Sequence, residues 1–403
     1  MTERVHSNNG AWRVAVLSFF TFGLSVGVPY YALPFFYDYL QQPQSQGGIG
    51  ITRPELMLGF PVATLLTLWI GPVFLRKLEP RASLMAGATL LAISFLLFAN
   101  LSTPGGLYYA AWLVFMTGYI LAGPIPHQVL IANWFTGERG RAMALVYVGV
   151  GLFGALSAKA IAAPLTRAFG FRGALLGIGA LVLLIWPLAF LLPRVAASRE
   201  PAEKKPDTPS LFRTAPLWAL LASSFCSIGA IGSVNQHLKL ILAEQGFRGN
   251  QHLLDETYAN VLAMILATSI AGRILFGWLA DRFDVKWLLV GVFAGVGASI
   301  PLLMLASPEF SPYPFACLFG LAMGADYMLI PLLAAAQFGP QAVGPAMSLI
   351  LPADLIALAW CPYGISLFVQ PGSNGYASAL QAVLGIAFAG AVVAAAGIPR
   401  SRK

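Results

Sequence analysis

Inside long apolar stretches of this 403-residue chain stand one arginine, Arg273, two aspartates, Asp326 and Asp354, and a histidine, His127. A guanidinium presents a planar fork of donors that fits a carboxylate through two hydrogen bonds, so Arg273 can bind an organic anion. It can instead bond Asp281, eight residues on, or the loop around it. The aspartates can neutralise Arg273 when no anion is present, take up a proton where water is excluded, or bond nearby backbone or a tyrosine. Asp354 follows Pro352, whose missing amide hydrogen loosens the local helix and favours a place in the site. His127 lies in GPIPHQV (123–129), between helix breakers, placed either to donate to an anion or to pin one helix to another. Tyr119 and Tyr327, at mid-span depth, together with Tyr31 and Trp360, offer aromatic walls with polar tips, suited to an anion with an apolar body. Asn235, Gln236, His237 and Lys239 fall toward the outer end of one stretch, where Lys239 can snorkel and the four can line the external vestibule. Lys159 is either a second cavity charge or another snorkelling lysine.

The elements that must position these groups are membrane-spanning helices. Charged residues make up 10% of the chain, where a soluble protein carries about a quarter, and mean hydropathy is +0.75. Too little polar surface is left to clothe a soluble fold of this size, so lipid must take its place. Twelve apolar runs are long enough to cross, near 14–38, 54–75, 82–101, 106–134, 142–165, 171–193, 215–243, 256–280, 287–306, 312–337, 344–370 and 375–397. The charged, proline-rich segment 194–213 divides them into an N-terminal six-helix bundle (1–193) and a C-terminal one (214–403). With this order, 17 of the 24 Lys and Arg fall on the side of both termini and the linker, which places those parts in the cytoplasm. The three cysteines lie in apolar runs without metal-ligand spacing, and no nucleophile elbow, zinc motif or phosphate-cradling glycine loop appears. The composition therefore points away from an enzyme, a metal, a cofactor and nucleic acid.

Residues 272–284 read GRILFGWLADRFD, followed by Lys286. This resembles the GxLaDRxGr(K/R) loop signature of the major facilitator superfamily, with Gly277, Asp281 and Arg282 matching and Asp284 in place of the second glycine. The corresponding first-half loop, 71–81, keeps Gly71, Arg76 and Arg81 but has Leu75 where the acid belongs. In that family the acid and the basic residues bridge helix ends and part on rocking, which implies a conformational gate at Gly277, Asp281, Arg282 and Arg76. Two further stretches are similar to the monocarboxylate transporter and oxalate:formate antiporter branch. They are GLSVGVPYYALPFF (23–36) and NWFTGERGRAMA (133–144), the latter resembling WFxxRRGLA. The branch carries a substrate-binding arginine at the place of Arg273, and the first of these stretches brings Tyr30 into the candidate site. The branch's lysine after the first-span proline and its acid four residues before the arginine are absent, those places holding Tyr30 and Ser269.

The expected protein is an all-α membrane protein of the major facilitator fold, twelve transmembrane helices in two pseudo-symmetric bundles, in a plasma or bacterial inner membrane. The expected function is secondary active transport of a small organic anion, a monocarboxylate in particular. Arg273, Tyr30, Tyr119, His127, Tyr327 and Asp354 would bind it, and Asp326 and Asp354 would balance charge or carry coupling, with a proton or counter-anion as the coupling partner. The chain is read as a monomer. The rival reading is an exporter or facilitator of a neutral or cationic amphiphile, recognised by the two aspartates.

Overall fold

The computed structural model describes residues 8–67, 69–70, 78–135, 139–193, 213–339, 342–370 and 375–400. Helices dominate them and no strand occurs among them. The chain divides into two compact units, Met1–Glu200 and Pro201–Lys403. Among the described residues ten helices are long and apolar enough to cross a bilayer. Unit 1 contains four of these, α1 (Gly10–Gln41), α3 (Pro80–Ala99), α4 (Gly106–Trp134) and α5 (Gly140–Leu191), together with the shorter α2 (Arg53–Thr67). Unit 2 contains α6 (Ala215–Glu244), α7 (Gln251–Ala280), α8 (Val285–Met304), α9 (Tyr313–Phe338), α10 (Val343–Ser366) and α11 (Ala377–Gly397).

Against the twelve expected spans, α5 is a 52-residue stretch, and it breaks at Gly170 (φ 70, ψ 179). That backbone conformation excludes most side chains, and it falls between the expected spans 142–165 and 171–193. Helix α2 has 15 described residues and stops short of its expected end near 75, where residues 68 and 71–77 lie outside the described set.

Proline and glycine shape both units. Helix α1 widens into a π-helical turn at Gly23–Gly27 and α5 into another at Ser157–Ala162. Each ends just before a proline, Pro29 or Pro164, whose missing N–H would leave a gap in a regular α-helical ladder. The first wide turn is covered by α5: a Cβ on Gly27 would stand 2.8 Å from the Val150 carbonyl. In unit 2, α7 and α9 pack through Gly272, Gly320 and Gly324. A Cβ on any of these would run into the backbone of the facing helix, at Leu321, Ile265 and Ser269 respectively. Small residues of this kind let helices approach closely in lipid, where apolar burial alone supplies little drive to associate.

Candidate functional site

The break in α4 is the most heavily braced point of unit 1. The helix stops at Gly123 (φ −86, ψ −143) and restarts with Pro124 at its N-terminus. Pro124 and Pro126 lack the N–H groups that would satisfy carbonyls four residues back, and membrane interiors offer no water to replace them. Side chains take over. Ser83 donates to the Leu121 carbonyl (2.6 Å), Ser25 to that of Ala122 (2.7 Å) and His127 Nδ1 to that of Gly123 (2.7 Å). With Nδ1 donating, His127 Nε2 accepts from the Thr21 hydroxyl at 2.9 Å. The ring is fully buried and lies 4.7 Å from Phe22, so both nitrogens are engaged inside the unit.

Tyr30 and Tyr119 come together on unit 1. Tyr30 lies 5.1 Å from Tyr31, 6.1 Å from Phe60 and 6.3 Å from Tyr119, ring centre to ring centre, and Tyr119 stacks on Phe115. This aromatic cluster joins α1, α2 and α4. Lys159 sits exposed in the second π turn.

In unit 2 the acids, on α9 and α10, are both bonded to one helix, α6. Ser224 and Ser227, one turn apart on α6, donate to Asp354 Oδ1 at 2.6 Å and to Asp326 Oδ2 at 2.8 Å. Asp326 is fully buried, and its Oδ1 has no hydrogen-bond partner. Arg273 is partly buried, and its Nε is buried without a partner. Neighbouring contacts bracket its depth, because Gly272 meets Leu321 and Gly277 faces Met328, so Arg273 lies between the levels of Leu321 and Met328 on α9, the stretch that holds Asp326. Among the described residues no ion pair joins Arg273 to Asp281, Asp326 or Asp354. Asn235 reaches Met323 Sδ with its amide nitrogen (3.6 Å), while its oxygen is buried and unpartnered. Tyr327 follows Asp326 on α9, but its side chain falls outside the described residues.

Near the outer end of α6 the arrangement departs from expectation. Lys239 does not snorkel: its Nζ is 2.7 Å from Asp255 Oδ1 on α7, with 1% and 10% of the two side chains exposed. Gln251 adds a hydrogen bond to the same oxygen. Asp255 drew no attention in the sequence because the expected span began at 256, whereas α7 starts at Gln251. The available signal was depth, since Lys239 and Asp255 stand five and four residues from the facing ends of α6 and α7. His237 is held at both nitrogens, by the Tyr376 hydroxyl (2.7 Å) and the Pro362 carbonyl (2.9 Å).

At the α7–α8 loop, Asp281 is exposed at the C-terminal cap of α7. Arg282 folds back over Trp278, its guanidinium carbon 3.6 Å from the ring centre. Asp284, the departure from the loop signature, caps α8 by accepting from the Lys286 amide. Gly277 has ordinary room for a side chain. Arg76 lies outside the described residues.

A family model for the Major Facilitator Superfamily matches residues 15–362. The chain belongs to that superfamily. This major facilitator protein is 25% identical over 346 residues to monocarboxylate transporter 13 of Rattus norvegicus, an alignment covering 81% of the chain and 75% of the relative. It is 27% identical over 299 residues to monocarboxylate transporter 11 of Homo sapiens (67% and 56% covered). Over 359 residues it is 28% identical to MFS-type transporter 1 of an Ophiocordyceps species (85% and 74%). Among solved structures it superposes on a variant of the nucleoside transporter NupG with a TM-score of 0.78 at 12% identity, covering 97% and 100% of the two chains. A peptide transporter POT variant in complex with sulfate gives 0.74 at 13%, covering 98% and 95%. These structural likenesses establish the fold. The major facilitator protein is therefore an integral membrane carrier for a small molecule, not an enzyme.

Proposed function

We propose that this carrier moves a small organic anion, specifically a monocarboxylate, by alternating access, with Arg273 as its principal counter-charge. The observation that carries the reading is the buried, unpartnered Nε of Arg273. A cation in a membrane-spanning segment is costly unless paired or wetted, and here no acid is bonded to it among the described residues. A carboxylate supplies the missing acceptor and the missing charge together. The names of the monocarboxylate transporters it resembles point the same way. Tyr30 and Tyr119 of unit 1 give an apolar cargo a wall, and Tyr327 and Asp354 of unit 2 are likewise assigned to cargo binding. His127, with both nitrogens occupied, acts on the cargo through the braced break in α4. Gly277, Asp281 and Arg282 in unit 2 and Arg76 in unit 1 are assigned to conformational gating, and both termini and the linker are placed in the cytoplasm, a placement the Lys/Arg asymmetry supports.

A second reading has its own observation. The open Oδ1 of Asp326 suits a cationic amphiphile as well as it suits a proton. Proteoliposomes separate the two. Saturable uptake of radiolabelled pyruvate, lactate or benzoate, responsive to an imposed pH gradient, is the expected result. Uptake of organic cations with none of the carboxylates would replace the first reading by the second.

A further inference from the structure

Arg273 and Asn235 are open in complementary senses. The Arg273 Nε is a buried donor with no acceptor, and the Asn235 Oδ1 is a buried acceptor with no donor. Asn235 is 6% exposed and spends its amide nitrogen on Met323 Sδ, a weak acceptor, at 3.6 Å. It follows Ser227 by eight residues, two turns along the same face of α6, and that face meets α9 at Asp326 and Met323. Arg273 lies between the levels of Leu321 and Met328, a stretch that includes Met323. Its stem leaves α7 on the side of Leu262, Leu266 and Ser269, all buried and at helical spacing, whereas Ile274 and Trp278 are exposed on the other side. Helices α6, α7 and α9 pack on one another, so the two open atoms stand at neighbouring depths on the inner sides of adjoining helices.

Such a pair calls for one acceptor and one donor. The serines of this region, among the described residues, have their hydrogens committed. Those of Ser224 and Ser227 go to Asp354 and Asp326, that of Ser233 to the Gly229 carbonyl and that of Ser269 to the Leu266 carbonyl. Asp326 also has an open oxygen, but a carboxyl can take up a proton and become a donor itself. An amide oxygen cannot. A hydroxyl that arrives with the cargo is then the fitting donor, because the carboxylate for Arg273 arrives on the same molecule.

We infer that Asn235 is a specificity-determining residue, whose Oδ1 accepts a hydrogen bond from a hydroxyl on the cargo while Arg273 takes the carboxylate. The carrier then prefers a hydroxy acid to the keto acid and the unsubstituted acid of the same shape. The inference rests on the carboxylate reading and narrows it. An unsubstituted acid leaves the Asn235 oxygen unpaired, and a keto acid sets a second oxygen against it, so both lose what the hydroxyl supplies. Turning the amide to offer its nitrogen to a keto group would place the oxygen against the Met323 sulfur instead.

The test is uptake into proteoliposomes of matched labelled acids over a concentration series. Mandelate, phenylglyoxylate and phenylacetate differ only in carrying a hydroxyl, a ketone or neither beside the carboxylate, and lactate, pyruvate and propionate repeat the series on a smaller body. Within a transported set the hydroxy acid should show an affinity about tenfold or more above both partners. In Asn235→Leu, an apolar residue of similar size, the ratio should fall to near one, whatever the absolute rates; Asn235→Ala gives the same readout should the leucine not be accommodated. Arg273→Lys should weaken all members of a set together and keep the ratio, which separates the two roles. Saturable uptake of a whole set without the preference, or a preference that both Asn235 variants retain, would overturn the inference and leave the carboxylate reading standing. Saturable uptake of none of the six acids would sink the carboxylate reading and the inference with it.

Discussion

Arg273→Ala is expected to abolish carboxylate transport, and Arg273→Lys to leave it weakened by at least tenfold in affinity. The lysine keeps the positive charge but not the planar fork, so the pair of variants separates geometry from charge. Removing one partner of a buried charged hydrogen bond costs ~2 to 5 kcal/mol at protein interfaces, and a carboxylate left unpaired in the cavity faces a similar loss. Thermal melts in detergent should show all three proteins equally folded, because Arg273 makes no ion pair with the nearby acids whose loss would unsettle the unit. Radiolabelled uptake across a concentration series provides the affinities. Near-normal affinity in Arg273→Ala would remove the arginine from the site and leave Asp326 and Asp354 as the recognition charges.

The second large effect concerns stability. Lys239→Met should destabilise unit 2 by ~3 to 5 kcal/mol, since it leaves the Asp255 carboxylate without its counter-charge opposite an apolar side chain. Asp255→Leu alone should do comparable damage by stranding Lys239. The double variant should recover most of the loss, because a buried ion pair is worth little more than the apolar pair that replaces it. Chemical unfolding in detergent, followed for the four proteins of this cycle, measures the coupling directly. Additive losses would mean that the 2.7 Å contact contributes no stability of its own.

The helical architecture was legible because hydropathy alone decides it, and the family because the 272–284 loop keeps Gly277, Asp281 and Arg282 at the signature spacing. Arg273, Asp326 and Asp354 stood out because ionisable groups in apolar runs demand explanation. What the sequence hid were the partners. Nothing local says that Ser224 and Ser227 serve two different acids, about 100 residues and more further along the chain, since such pairing depends on helix rotation and packing. The partner of Lys239 was hidden for the same reason, as snorkelling can be read from one helix end whereas Asp255 sits on the next helix. The break in α4 was visible in GPIPHQV, but not that Ser25 and Ser83, from two other helices, would satisfy the freed carbonyls. The aspartate that breaks the loop signature, Asp284, has a local explanation in the cap it forms on α8.

The central claim is that the carrier recognises the negative charge of its cargo. Comparing uptake of labelled benzoate with that of labelled benzamide, a neutral molecule of nearly the same shape, tests this most directly. Saturable uptake of the carboxylate, uninhibited by excess benzamide, is the predicted result. Equal transport of the two, or competition by the amide at matched concentrations, would contradict it.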